Sequence, residues 1–164
     1  MQKTAICPGT YDPLTEGHRD VIIRCSKVFK KVIVAISNNN KKDPLYSLEK
    51  RMDFARRSLV NIDNIDIAPF EGLLVDLAEE MDAEVIVKGL RAISDFENEF
   101  QMAQINKKLK PELETMFLVT NPRYAYLSSS AVKEVAGFGG CITGLVPEEI
   151  EEEIVRSFKS GVFD

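Results

Sequence analysis

From end to end the chain alternates short apolar runs with amphipathic stretches, and that alternation restricts it to one class of architecture more firmly than any other feature. Five runs read as strands: Thr4 to Cys7, Val32 to Ile36, Ile65 to Ala68, Val85 to Val87 and Met116 to Val119. Four are almost wholly apolar and suit strands covered on both faces, whereas Ile65-Asp66-Ile67-Ala68 alternates and suits a sheet edge. Between them apolar residues recur at helical spacing. Val21, Ile22, Cys25, Val28 and Phe29 share one face from about Gly17 to Phe29, and Ser47 is an N-cap for the next helix. Leu73, Leu74, Leu77, Ala78 and Met81 form a third stripe. Ser94-Asp95-Phe96-Glu97 reads as a capping box opening a fourth helix that buries Phe96, Phe100, Ala103 and Leu109. A helix follows from Ser129, and Pro147 takes a first helical position before the acidic run Glu148 to Glu153. Right-handed crossovers on this pattern predict an α/β fold: a doubly wound, Rossmann-like, five-stranded parallel sheet in the order 3-2-1-4-5, helices on both faces, and a C-terminal helical segment. With no internal repeat or linker, residues 1–164 are expected to form a single domain.

Composition removes several function classes. Twenty-one Lys and Arg against twenty-six Asp and Glu give a net charge of -5, which argues against a general nucleic-acid or membrane-surface binder. Cys7, Cys25 and Cys141 lack any C-x-x-C spacing, so neither a disulfide framework nor a zinc site is indicated and a reducing, cytoplasmic setting fits. The longest wholly apolar run, Val32 to Ile36, is far short of a membrane span, and the N-terminal apolar run is too short for a signal peptide. His18 is the one histidine, so any imidazole chemistry must use it.

In a 3-2-1-4-5 sheet, ligands bind beyond the carboxyl ends of the strands where the order reverses, between strands one and four. That places the loops Pro8 to Gly17 and Lys88 to Ser94 at the crevice. The first has neither the dinucleotide nor the Walker spacing. It offers Gly9 for close backbone approach, Thr10 as a hydroxyl, and Thr15-Glu16-Gly17-His18 at a helix start, where anions are attracted. His18 there is either a phosphate donor or a packing residue at a helix end. Lys88-Gly89-Leu90-Arg91 sets two cations at the end of strand four, which favours an anion in the crevice. Lys41 and Lys42 close a third side or remain solvated loop charges. In Ser128-Ser129-Ser130 one hydroxyl can be an N-cap, or the three can donate to phosphate oxygens. No G-x-S-x-G elbow and no tight acidic cluster for two metals are present. Cations and hydroxyls without an obvious base suit phosphoryl or nucleotidyl transfer, in which positioning and charge stabilisation carry the catalysis.

Together Gly9 to His18, the Lys88-Gly89-Leu90-Arg91 turn and Leu127-Ser128-Ser129-Ser130-Ala131-Val132-Lys133-Glu134 resemble the bacterial phosphopantetheine adenylyltransferases, a branch of the nucleotidylyltransferase superfamily. The resemblance covers nearly the whole chain, including Lys42 and Asp95-Phe96-Glu97, and weakens after about Gly140. The superfamily's H-x-G-H has Thr15 in place of its first histidine here, as is usual for this branch. The resemblance implies transfer of AMP from ATP to 4'-phosphopantetheine, giving dephospho-coenzyme A and pyrophosphate, with magnesium (Mg2+) carried on the nucleotide phosphates and no metal held by the protein. It implies catalysis by His18, Thr10, Lys42 and Arg91. ATP would be held by Gly9, Thr10, Tyr11, His18, Gly89, Leu90, Arg91, Glu99 and the stretch Tyr124, Ala125, Tyr126, Leu127, Ser128, Ser129 and Ser130. The acceptor would be held by Thr10, Lys42, Leu73, Leu74, Lys88 and Asn106. A homohexamer inhibited by coenzyme A is implied as well. Lys88 departs from the arginine usual in the family. Two rival readings are a nucleotidylyltransferase with another acceptor and a non-catalytic nucleotide sensor.

Overall fold

The computed structural model describes residues 3–38, 43–91 and 93–164. Its strands are β1 (Thr4–Gly9), β2 (Lys31–Ser37), β3 (Ile65–Phe70), β4 (Val85–Leu90) and β5 (Glu114–Val119). The helices are α1 (Glu16–Ser26), α2 (Leu48–Ser58), α3 (Leu74–Glu80), α4 (Ile93–Leu109), α5 (Ser129–Gly137) and α6 (Glu148–Ser160), with a 3-10 turn at Pro122–Tyr124. All strand pairs are parallel, and the sheet order is β3-β2-β1-β4-β5, as the crossovers predict.

Alternate residues of the central strands feed two cores. Cys7, Val34, Ile36 and Val87 pack with α1, α2, α5 and α6 through residues such as Ile22, Phe54, Val132 and Ile150. Ile6, Ile33, Ala35 and Ile86 face the other way, onto Val75, Leu77 and Ala78 of α3. Period two in the strands and near four in the helices thus bring apolar stripes onto both faces of one sheet.

Several local expectations are corrected. β1 and β4 run further than the apolar runs, to Gly9 and Leu90, so Lys88, Gly89 and Leu90 lie in a strand, Leu90 opposite Val119. Apolar β5 is an edge strand with Val119 exposed, because an apolar run reports that side chains leave water but not how many neighbours the strand has. Phe96, Phe100 and Leu109 of α4, expected inside, are exposed, and Ala103 is half-buried. The apolar residues of α4 spread round the helix, with Met102 and Ile105 also exposed, so no single face can bury them all. The capping box expected there rests on Ser94 and Asp95, whose side chains lie outside the described residues. α1 ends at Ser26, which leaves Val28 exposed in the following turn while Phe29 stays buried. Pro147 is the N-cap of α6 rather than its first helical residue.

Candidate active site

The loop after β1 is shaped by close contacts. A Cβ on Gly9 would stand 2.8 Å from the Tyr11 ring, so only glycine fits. Tyr11 is buried at a positive φ of 51°, and its hydroxyl donates to the Cys7 carbonyl at 2.8 Å. Its ring stands edge-on to His18, centroids 5.1 Å apart.

His18 is the third residue of α1, whose N-cap is Thr15. The Thr15 backbone N–H donates to His18 Nδ1 at 3.1 Å, and Thr15 Oγ1 accepts from the His18 N–H at 3.3 Å. With Nδ1 committed as an acceptor, the neutral ring carries its hydrogen on Nε2 and becomes a donor there. Burial first, and the Arg91 charge second, lower the His18 pKa to about 4. The cap and the donor are therefore one arrangement: the threonine in the first-histidine position fixes the tautomer of the second.

Two cavities open over the sheet's carboxyl edge. The first, about 540 Å³, is lined by Gly9, Thr10, Tyr11, His18, Gly89, Arg91, Glu99, Leu127 and Ser128 to Ser130 among others. The second, about 700 Å³, is lined by Thr10, Leu73, Leu74, Lys88 and Asn106, with Ser37, Asn38 and apolar residues of α4. They share Pro8, Gly9, Thr10, Lys88 and Glu99.

At that junction Lys88 Nζ lies 3.2 Å from Glu99 Oε2, so α4 supplies a carboxylate to the strand-end cation. Arg91 donates to the Leu127 carbonyl at 2.9 Å, tying the end of β4 to the turn before α5. Gly89 faces α1 closely: a Cβ there would be 2.9 Å from Val21 Cγ2.

The three serines divide their labour. Ser128 is the N-cap of α5, accepting from the Ala131 N–H, and Ser129 donates to the Pro13 carbonyl at 2.8 Å. Only Ser130 lacks a structural bond of this kind among the hydrogen bonds of the described residues, and it lines the first cavity. Leu90, Tyr124, Ala125 and Tyr126 do not line either cavity. Tyr126 is exposed, and Tyr124 packs beside Gly17. Lys42 lies outside the described residues.

Sequence reasoning passed over Asp12, Arg51 and Lys133. Buried Asp12 accepts from the Leu45 and Tyr46 N–H groups, both at 2.9 Å, and pairs with Lys133 Nζ at 2.6 Å. The available signal for Arg51 was its place on the inward face of α2 with Phe54, Ala55 and Ser58, a charge on a stripe that turns away from water.

Comparison with known proteins agrees with this geometry. A family model described as cytidylyltransferase-like matches residues 6–135. A putative nicotinate-nucleotide adenylyltransferase from Vibrio parahaemolyticus superposes with a TM-score of 0.74 at 17% identity, covering 94% of this chain and 99% of that one. A Francisella tularensis bifunctional NMN adenylyltransferase/ADP ribose pyrophosphatase, complexed with AMP and a Mn ion, gives 0.70 at 17% identity, over 99% of this chain and 51% of that one. Fold and family model together define a nucleotidyltransferase. Phosphopantetheine adenylyltransferase of Dictyoglomus turgidum is 53% identical over 155 residues, 94% of this chain and 97% of the relative. The Clostridium novyi enzyme of the same name is 53% identical over 154 residues, 94% and 96% of the two chains. The chain belongs to the phosphopantetheine adenylyltransferase family.

Proposed function

We propose that the chain, as one nucleotidyltransferase domain, transfers AMP from ATP to 4'-phosphopantetheine, forming dephospho-coenzyme A and pyrophosphate in the penultimate step of coenzyme A synthesis. The observation that carries this reading is the pair of cavities meeting at Thr10 and Lys88, one polar and beside His18, the other with an apolar wall. ATP occupies the first, and the pantetheine arm lies along Leu73, Leu74 and Asn106 in the second. The acceptor phosphate then rests at the shared wall.

A phosphate oxygen of the acceptor attacks the α-phosphorus in line as the bond to the pyrophosphate oxygen breaks. That oxygen is already anionic, so no general base and no covalent enzyme intermediate are needed. His18 Nε2–H donates to the α-phosphate oxygens as their charge grows, and a ring held neutral keeps that geometry. Lys42, Lys88 and Thr10 hold the acceptor phosphate, while Arg91 and Ser130 face the nucleotide. Glu99, placed by resemblance with the nucleotide, also tempers the Lys88 charge.

Magnesium enters with the nucleotide, neutralising charge on its phosphates. The donors around the first cavity fit that role: they are hydroxyls, backbone and cations, the Asp12 carboxylate is committed to two N–H groups and Lys133, and Glu99 is committed to Lys88. The triphosphate rather than a protein carboxylate cluster would hold the ion.

The family resemblance extends the proposal to a cytoplasmic homohexamer with coenzyme A as feedback inhibitor. Exposed Phe96, Phe100, Met102 and Ile105 on α4 support self-assembly. Among the described residues no helix is long and apolar enough to cross a membrane.

Pyrophosphate release tests the reaction. With ATP and Mg2+ it is expected on addition of 4'-phosphopantetheine, and not with CTP or with nicotinamide mononucleotide as acceptor. Release with another acceptor and none with phosphopantetheine would reassign the substrate.

A further inference from the structure

Arg51 is the largest side chain in the protein that water does not reach, with 1% of its surface exposed. Three carbonyls converge on it: Nε donates to Tyr46 at 3.1 Å, and Nη1 donates to Thr10 at 2.8 Å and to Ser37 at 2.9 Å. These acceptors come from three segments, namely the residue after β1, the last residue of β2 and the turn entering α2. Asp12 holds the same turn from the other side, taking the Tyr46 N–H at 2.9 Å, so Tyr46 is gripped at both backbone polar groups.

A guanidinium this deep is unfavourable unless its hydrogens are matched, and burial draws its pKa below the usual range against the pull of Asp12 and Glu49. An apolar side chain would fill the same space beside Phe54 without that cost. What it could not do is fix three backbone oxygens at once with a rigid planar fork. Two of those oxygens belong to residues lining the second cavity, and Thr10 also lines the first.

We propose that Arg51 is a positioning residue that, by binding the Thr10 and Ser37 carbonyls, sets the shared wall of the two cavities and so aligns the acceptor phosphate with the α-phosphorus. It touches no substrate. The inference rests on the adenylyl transfer to phosphopantetheine proposed above and assigns a device that makes it efficient.

Arg51→Lys and Arg51→Met test it together, each compared with the wild-type protein for pyrophosphate release, ATP affinity by calorimetry and melting temperature. A misplacement of about 1 Å can cost on the order of 10²-fold in rate. Arg51→Met is therefore expected to lose about 10²-fold in kcat and to raise the phosphopantetheine KM about 10-fold, while ATP Kd stays within about two-fold. Arg51→Lys, which keeps the charge but not the fork, should recover part of both. A purely structural arginine would lower the melting temperature and leave kcat and the acceptor KM of the folded protein unchanged, overturning the proposal. Equal loss of ATP and acceptor binding, or failure of both variants to fold, would overturn it too. Wild-type protein inactive towards phosphopantetheine would instead overturn the proposed reaction, and this inference with it.

Discussion

The first cavity is walled largely by chain ends: Gly9 and Thr10 after β1, Gly89 on β4, and Ser128 to Ser130 at the start of α5. The second takes Leu73 and Leu74 from the start of α3 and Met102, Ile105 and Leu109 from α4, joined by buried Asn106. One is built from backbone, glycine and hydroxyl groups whose spacing along the chain is itself informative. The other is built from ordinary apolar residues that become a binding wall only because two helices lie side by side. A phosphate needs aimed donors, whereas a flexible, mostly apolar arm needs area, and the two walls differ accordingly.

If that division is right, substitutions on the two sides should separate turnover from acceptor binding. The largest effect is expected on the polar side: His18→Ala should lower kcat by about 10²-fold or more with ATP affinity little changed, as loss of an oxyanion-type donor does. Single-turnover rates and ATP calorimetry check this, and near-normal kcat would remove His18 from the chemistry. At the junction, Lys88→Ala should raise the phosphopantetheine KM about 10-fold, well beyond any change for ATP, while Lys88→Arg keeps substantial activity. An effect confined to ATP would move Lys88 to the nucleotide side and blur the contrast. On the apolar side, Leu74→Ala should raise only the phosphopantetheine KM, by about three-fold to ten-fold, since a few lost methylenes are worth about 1–3 kcal/mol in a pocket. A fall in kcat at unchanged KM would show that this wall does more than bind.

The smallest expected effect concerns pH. The His18 pKa is lowered to about 4 from 6.5, so between those values the unfolded chain takes up a proton that the fold refuses. Stability of the ligand-free protein should therefore decline as pH falls from 6.5 towards 4, with no further contribution from His18 below that. His18 should give no inflection in kcat between about pH 5.5 and 8. A kcat inflection near 6.5 that disappears in His18→Ala would show a normal, solvated imidazole and sharpen the case against a fixed donor.

The polar side was legible because close backbone approach demands glycine and because a helix start beside strand-end cations has few uses. Even so, spacing alone left the serines open, and the structure spends Ser128 on a cap and Ser129 on Pro13. It left His18 open as well, until the Thr15 N–H on Nδ1 decided the tautomer. Leu73, Leu74 and Asn106 entered only through family resemblance. Periodicity also misled at α4 and β5, where apolar residues promised burial and the single chain leaves Phe100 and Val119 exposed.

By itself the sequence determined the sheet order, the switch point and the polar loops beside it. Strand and helix periods, turn residues and handed crossovers are local or nearly local physics, and they leave few topologies open. Only the tertiary structure decided that Arg51 reaches Thr10, Ser37 and Tyr46, that Asp12 meets Lys133, and that Glu99 meets Lys88. The partners in these bonds lie 5 to 121 residues apart, nearly all of them 11 or more. No period links such separations, because the meeting point is fixed by how whole elements pack rather than by the residues that meet.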